Sequence, residues 1–306
     1  MDSIQKHSHT FMFRQAQQLK TAKSQLSKSK DLSQIKILSF GCSIGDEVAT
    51  LSYYFPESKI YGCDTNRNVA DFAQKSVGEL GEIFYSSEAG ISRRGPFDLI
   101  VVSAVLCMHP APVNFKELFP VEKFDEYIDM IDSNLTNGGI LILTNCSYRF
   151  CQTDKGADYT TIRSDIVTSN GFVNVYQRDG SLYLSQASTY GLDMPLLVRY
   201  GNEIPRDDED IADSVFQKSD GGPNPKIVDL ALAPLPPGIT YLKSHCRTNI
   251  DGAAKAIDGR VVTWRQRFDF GRRSDDGRYG YATTISWQSF FSEAFHQRPA
   301  YWTDLP

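Results

Sequence analysis

The segment ILSFGCSIGDEV, residues 37–48, decides the fold. It begins inside an apolar run, IKILSF (35–40), that stops at Gly41 and reads as a buried strand. It ends inside DEVATLSYYF (46–55), where Val48, Leu51 and Phe55 fall at helical spacing and Pro56 closes the pattern. Between the two lie Gly41, Cys42, Ser43 and Gly45, small residues that let a ligand approach the backbone. Amides at the start of the helix make a positive pole suited to a carboxylate. The G-x-x-x-G spacing is weak alone, and a tight strand–helix turn with no ligand explains it as well.

Working outward, KIYGCD (59–64) reads as a second strand, 65–80 as a helix and GEIFYSS (81–87) as a third strand. FDLIVVSAVL (97–106) is the most apolar stretch and reads as a central strand. VEKFDEYIDMIDSNL (121–135) places Phe124, Ile128, Ile131 and Leu135 on one helical face. Asn137-Gly138-Gly139 ends it, and ILILTN (140–145) reads as the next strand. TTIRSDIVTSNGF (160–172) predicts a helix closed by Asn-Gly, and FVNVYQRDGSLYLSQA (172–187) a hairpin turning at Arg178-Asp179-Gly180. Strand–helix alternation predicts an α/β, Rossmann-like, mostly parallel sheet with an antiparallel last strand. Asp64 ends the second strand, where an acid can accept both hydroxyls of a ribose. It can also cap the helix that starts at Thr65, and both roles can hold for different oxygens.

The flanks differ in texture. Residues 1–34 are polar, with Phe11, Met12, Phe13, Ala16 and Leu19 at helix-like spacing, and read as a helical lead-in. The sheet domain is expected over 35–190. Beyond it, GNEIPRDDED, SDGGPNPK and PLPPG read as loops. VVTWRQRFDF (261–270) and RYGYATTISW (278–287) alternate as strands, so 191–306 reads as a β-rich extension of unknown role. Its aromatic stripe fits a β core better than a base-stacking platform, although Arg265 and Arg267 lie on the other face.

The chain has 306 residues, 41% hydrophobic and 23% charged, which is ordinary globular composition. A net charge of −5 argues against nucleic acid as the default partner. No apolar run approaches the ~20 residues that span a bilayer, and the N-terminus lacks a secretory core. The six cysteines form no CxxC pair and read as free thiols of a cytoplasmic protein. His245-Cys246 with Cys146 and Cys151 fits no zinc spacing, so no metal is expected.

On ILSFGCSIGDEV, IYGCD, FDLIVVSAVL and LTNGGILIL, the chain resembles the class I S-adenosylmethionine-dependent methyltransferases over about 35–187. The resemblance implies S-adenosylmethionine as cofactor, a ribose contact at Asp64 and a reversed last strand supplied by 172–187. FMFR (11–14) and GCSIGDE (41–47) resemble elements of the chemotaxis-receptor (CheR-type) branch. That likeness implies that Arg14 caps the cofactor carboxylate and that Asp46 or Glu47 takes its amino group. A solvated helix charge accounts for Arg14 equally simply. The branch carries Arg-Asn where this chain has Ser103-Ala104, so glutamate methylation is not implied.

Further candidates follow the strand ends, where open α/β sheets bind ligands. Ser86, Ser87 and Glu88 follow the third strand, where this fold contacts adenine, and Thr65 follows Asp64. Ser103 and Ala104 sit beside the methyl-transfer zone. His109, in CMHPAP, is the candidate general base because an imidazole titrates near neutrality, against the plainer reading of a loop histidine. Tyr148 and Arg149 are candidate pocket residues. No DPPY-like or NPPY-like tetrapeptide and no Pro-Cys pair follows the fourth strand, against methylation of base amines or base carbons. The expected activity is methyl transfer to an O or N nucleophile of a small molecule or protein. The alternative is a binding protein or scaffold on the same fold.

Overall fold

A computed structural model describes residues 4, 10, 15–108, 111–164, 173–184, 214–221, 227–230, 249–255, 261–273 and 279–286. Arg14, His109, His245, Cys246 and the 11–13 part of the lead-in stripe lie outside these residues. The chain divides into two compact units.

The first unit is built on one eight-stranded sheet. Its strands are β1 (Lys36–Phe40), β2 (Lys59–Asp64), β3 (Glu82–Tyr85), β4 (Phe97–Ser103), β5 (Leu135–Thr144), β6 (Tyr159–Ser164), β9 (Val215–Lys218) and β10 (Ile227–Leu230). A separate pair, β7 (Val175–Tyr176) and β8 (Leu182–Leu184), lies between β6 and β9 in sequence. The spatial order is β10-β6-β9-β5-β4-β1-β2-β3. Only β9 runs antiparallel to its neighbours β5 and β6. This is the expected Rossmann-like sheet with one reversed strand. β1 and β4 are central and almost wholly buried, which explains their continuous apolar sequence.

The helices are α1 (Ala16–Leu26), α2 (Asp46–Tyr54), α3 (Arg67–Val77), α4 (Glu88–Arg94), α5 (Phe115–Leu118) and α6 (Val121–Ser133). Two start on side-chain caps. Asn66 accepts the Asn68 and Val69 amides at 3.1 and 3.3 Å, and Ser87 accepts the Gly90 amide at 3.1 Å. Phe124, Ile128 and Ile131 are buried on α6, as their spacing predicts, but α6 ends at Ser133, and Leu135 and the Asn137-Gly138-Gly139 stretch read as the helix end belong to β5. No helix among the described residues is long and apolar enough to cross a membrane.

Three further sequence expectations need correction. The segment 160–172 is read as a helix, but its described part belongs to strand β6, where Thr160, Thr161 and Ile162 supply the β-branched residues that strands favour. The described part of 172–187, residues 173–184, does turn back on itself, with Gly180 at φ 78° and Asp179 Oδ1 accepting the Ser181 amide at 2.8 Å. It forms its own two-stranded sheet, however, and is not the reversed strand of the large one. Tyr176 explains why. Its ring stacks on Phe115 at 3.9 Å and 9°, and its amide donates to Ser147 at 2.8 Å, so the hairpin docks beyond the end of β5. The reversed strand is instead β9, from a stretch the sequence assigns to a linker. Val215 and Phe216 are buried in it, and the Phe216 ring lies 4.7 Å from that of Phe150. The sheet therefore draws on chain beyond residue 190, and the first unit extends to Leu232.

The second unit contains β11 (Asn249–Lys255), β12 (Val261–Arg273) and β13 (Tyr279–Ser286), joined antiparallel in that order. The two predicted strands of the extension coincide with β12 and β13. The faces taken by Trp264, Arg265, Arg267 and their neighbours lie outside what is described.

Candidate functional site

The loop from Gly41 to Gly45 joins β1 to α2 and is bound to the end of β2. The amides of Gly41 and Cys42 both donate to the Cys63 carbonyl, at 2.8 and 2.9 Å, and the Ser43 amide donates to Asp64 Oδ2 at 3.0 Å. Three consecutive amides thus serve the neighbouring strand end. These three bonds shape the loop, and the amides suited to a carboxylate are those that open α2 after Gly45. Gly41 and Gly45 have φ of 78° and 98°, open to glycine and strained for other residues. A Cβ on Gly45 would stand 2.5 Å from Val77 Cγ1, and one on Gly41 would overlap Val105 Cγ2. The loop therefore closes on α3 at one end and on the segment after β4 at the other.

Asp64 is half-buried at the end of β2. Its other oxygen, Oδ1, accepts the Asn66 amide at 2.8 Å. The cap of α3 is Asn66, so Asp64 does not take the capping role open to it from sequence. Burial pushes its carboxyl above the ordinary aspartate value, and the Asn66 and Ser43 amides partly offset that rise. Thr65 follows, half-buried. The Ser86 amide donates to the Asp64 carbonyl at 2.9 Å, which ties in the end of β3.

The buried acids of α2 do not form a pair facing outward. Glu47 Oε1 accepts the Ser39 hydroxyl at 2.6 Å, which turns Glu47 onto β1. Asp46 is also buried, and its carbonyl accepts Thr50 Oγ1 at 2.7 Å. Ser87 uses its hydroxyl to cap α4. Cys42 is fully buried and its thiol is pushed far up by that burial. Cys63 is pushed up to about 12 for the same reason, so neither is a nucleophile. Cys42, Cys63, Cys107, Cys146 and Cys151 are all free thiols. Among the described residues no group of His, Cys, Asp and Glu is placed to hold a metal.

A second polar group lies at the ends of β4 and β5. Ser103 Oγ is 2.8 Å from Thr144 Oγ1, and Gln15 Nε2 donates to Ser103 Oγ. The Ala104 amide donates to the Thr144 carbonyl at 2.8 Å. The contact of Gly41 with Val105 joins this group to the loop. Tyr148 is buried, its hydroxyl donating to the Phe119 carbonyl at 2.9 Å, while Arg149 lies over the Tyr183 ring at 5.3 Å. Both serve the packing of the β7–β8 hairpin.

Backbone strain marks the same end of the sheet. Among the described residues, three non-glycine residues have positive φ: Ser43 (51°), Ala104 (55°) and Asn145 (55°). They follow β1, β4 and β5. A left-handed conformation costs such residues roughly 1–2 kcal/mol each and concentrates at functional sites. Gln15, Thr144, Val105 and Asn145 are the members that sequence reasoning missed. Val105 lies within FDLIVVSAVL and Thr144-Asn145 end ILILTN, but none of the four is singled out, because side-chain reach is not written in residue type.

No protein-family model and no curated protein sequence matches the chain. Solved structures align with part of it. PKMT2 from Rickettsia typhi is 20% identical with a TM-score of 0.34, over 44% of this chain and 26% of its own. The plantazolicin methyltransferase BpumL, solved with SAH, is 19% identical with a TM-score of 0.32, over 42% and 46%. A probable spermidine synthase from Corynebacterium glutamicum ATCC 13032 is 12% identical with a TM-score of 0.31, over 44% and 48%. The chain spans less than half the length of each.

Proposed function

We propose that the protein is an S-adenosylmethionine-dependent methyltransferase acting on an O or N nucleophile of a small molecule or a protein. The observation that carries this reading is the clasp of the Gly41–Gly45 loop on Asp64. An ionised carboxylate offers about four acceptor positions. Ser43 and Asn66 take one on each oxygen, so the remaining positions can accept the two hydroxyls of a ribose. The residues therefore fit the nucleoside part of the cofactor.

From Asp64 the strand ends run through Gly41 and Val105 to Ser103 and Ala104. That path joins the ribose position to the acceptor zone. In this reading Gly41 and Gly45 shape the wall, Ser43 and Thr65 line it with Cys42 packed inward behind it, and Ser103 and Ala104 close it. Glu47 and Ser87 each use one position on Ser39 and the α4 cap and keep others for the amino acid and adenine ends. Asp46 and Arg14 stay as candidates for the amino acid end. When bound, S-adenosylmethionine supplies a sulfonium methyl group open to direct displacement. The chain's task is then to hold donor and acceptor in line, from which much of a rate enhancement can come. His109 is the candidate base for an acceptor that begins protonated.

Titration calorimetry of the full chain tests the reading. Binding of S-adenosylmethionine and S-adenosylhomocysteine is expected. Binding of NAD(P) in their place would make it a dehydrogenase-type site, and binding of none at millimolar concentration would leave a scaffold on this fold.

A further inference from the structure

Gln15 is the residue before α1 and makes no cap bond to that helix. Its carboxamide reaches across the fold instead. Nε2 donates to Ser103 Oγ, at the end of β4, and lies 3.5 Å from Thr144 Oγ1, at the end of β5. All three side chains are buried, at 5%, 4% and 4% exposure. Directly after Ser103 comes Ala104 in the left-handed region, its amide on the Thr144 carbonyl.

A hydroxyl rotor has no preferred direction of its own, so its neighbours set it. Gln15 has a donor NH2 aimed at the Ser103 oxygen, and Thr144 stands 2.8 Å away on the same oxygen. Together they fix the rotor and stiffen the strained turn behind it. Chained hydrogen bonds of this kind in a dry site reinforce each other.

We propose that Gln15 is a positioning residue of the cofactor site: by holding Ser103 against Thr144, it sets the β4 end to receive the sulfonium and methyl of S-adenosylmethionine. This rests on the methyltransferase reading, in which Asp64 takes the ribose and the β4 end borders the methyl that is transferred. Gln15 therefore acts on one half of the ligand only.

The test is calorimetry on the full chain with S-adenosylmethionine, S-adenosylhomocysteine and adenosine. The variants are Gln15→Ala, Gln15→Met (which keeps the volume and removes the donor), Ser103→Ala and the Gln15→Ala/Ser103→Ala double. The two full ligands should bind roughly tenfold more weakly to Gln15→Met, about the loss of one buried hydrogen bond. Adenosine, which lacks the methionine end, should bind as to wild type. The double variant should be no weaker than the weaker single, because the two residues act as one unit. Equal losses for adenosine and the full ligands would show a merely structural role and overturn the proposal. So would unchanged affinity in Gln15→Met, or losses that multiply in the double. If Gln15→Ala fails to fold, Gln15→Met and Ser103→Ala decide alone. A wild-type chain that binds adenosine but neither full ligand sinks the methyltransferase reading itself, and the role of Gln15 with it.

Discussion

The Ser43 amide donates to Oδ2 of Asp64 across 3.0 Å, so the loop that follows one strand is held by the acid that ends the next. Ser43 pays for this position with a left-handed backbone, φ 51°. One carboxylate thus shapes the loop and ties it to the end of β2.

Asp64→Ala is expected to lose both stability and affinity. It leaves the Ser43 and Asn66 amides without their acceptor, at a cost of about 2 kcal/mol in unfolding free energy. It should also weaken S-adenosylmethionine by about 10- to 100-fold. Asp64→Asn is not a mild substitute. Its NH2 would face one of the two amide donors, so it should destabilise as well. Denaturant unfolding and calorimetry on both variants check this. A stable Asp64→Asn would mean that the two amides do not both depend on the carboxylate.

The pH dependence of cofactor binding follows from the same group. Burial raises the Asp64 carboxyl above its ordinary value, against the pull of the Asn66 and Ser43 amides. Its folded value therefore exceeds its unfolded value. The protonated form favours folding below the unfolded value, and that contribution is lost as pH rises through the folded one. Binding runs the other way, because the ionised form accepts the diol. Affinity should fall as pH drops, beginning above the ordinary aspartate range. Calorimetry at stepped pH tests this, and a flat profile down to pH 4 would remove Asp64 from the ligand site.

Gly45→Ala places a methyl group against Val77 in a backbone with φ 98°. A destabilisation of about 1–3 kcal/mol is expected. Gly41→Ala meets Val105 instead, and Val105→Ala should relieve only the steric part of its cost. Thermal melting of the single and paired variants separates overlap from backbone strain.

Asp132 holds the reversed strand. Burial raises its carboxyl, but the Lys218 and Tyr159 hydrogen bonds and the Lys218 and Lys155 charges outweigh it, and the net shift is downward. Tyr159 and Lys218 meet Oδ1 at 2.8 and 3.0 Å. Because its folded value is depressed, Asp132 stabilises the fold above the unfolded value, and that part is lost as pH falls through the folded one. Asp132→Ala should cost about 2–3 kcal/mol and raise amide exchange in β9, whose last residue is Lys218. Exchange unchanged in 215–218 would show that the strand is held by its pairing alone.

A chain shortened to end at residue 190 lacks β9 and β10. β5 and β6 would then lose the strand that joins them. Poor solubility is expected for it, and recovery for a chain ending at 232. Equal solubility of the two in expression trials would show that β9 is dispensable.

The large sheet was legible wherever its signal is local. The run 35–48 and the strand ending in the acid at 64 combine apolar residues with a terminating residue, and 97–103 and 121–133 carry clear apolar patterns. Those features set strand or helix within a few residues of chain. Asp64 and the two loop glycines were legible because a strand end and a left-handed turn restrict residue type.

The reversed strand was not legible. Val215-Phe216-Gln217-Lys218 is four residues long and lies in a polar stretch, and its strand character comes from pairing with β5 and β6. The hairpin at 172–187 carried the stronger turn signal, but the stacking of Tyr176 on Phe115 placed it elsewhere. Sequence by itself determined that 36–40, 59–64 and 97–103 extend and that 46–54 and 121–133 coil, because there local sterics and periodicity agree. Only the tertiary structure decided which strand reversed, which acid turned inward onto Ser39, and that Gln15 reaches Ser103. Each of these depends on the meeting of residues far apart in the chain, and no local pattern encodes such a meeting.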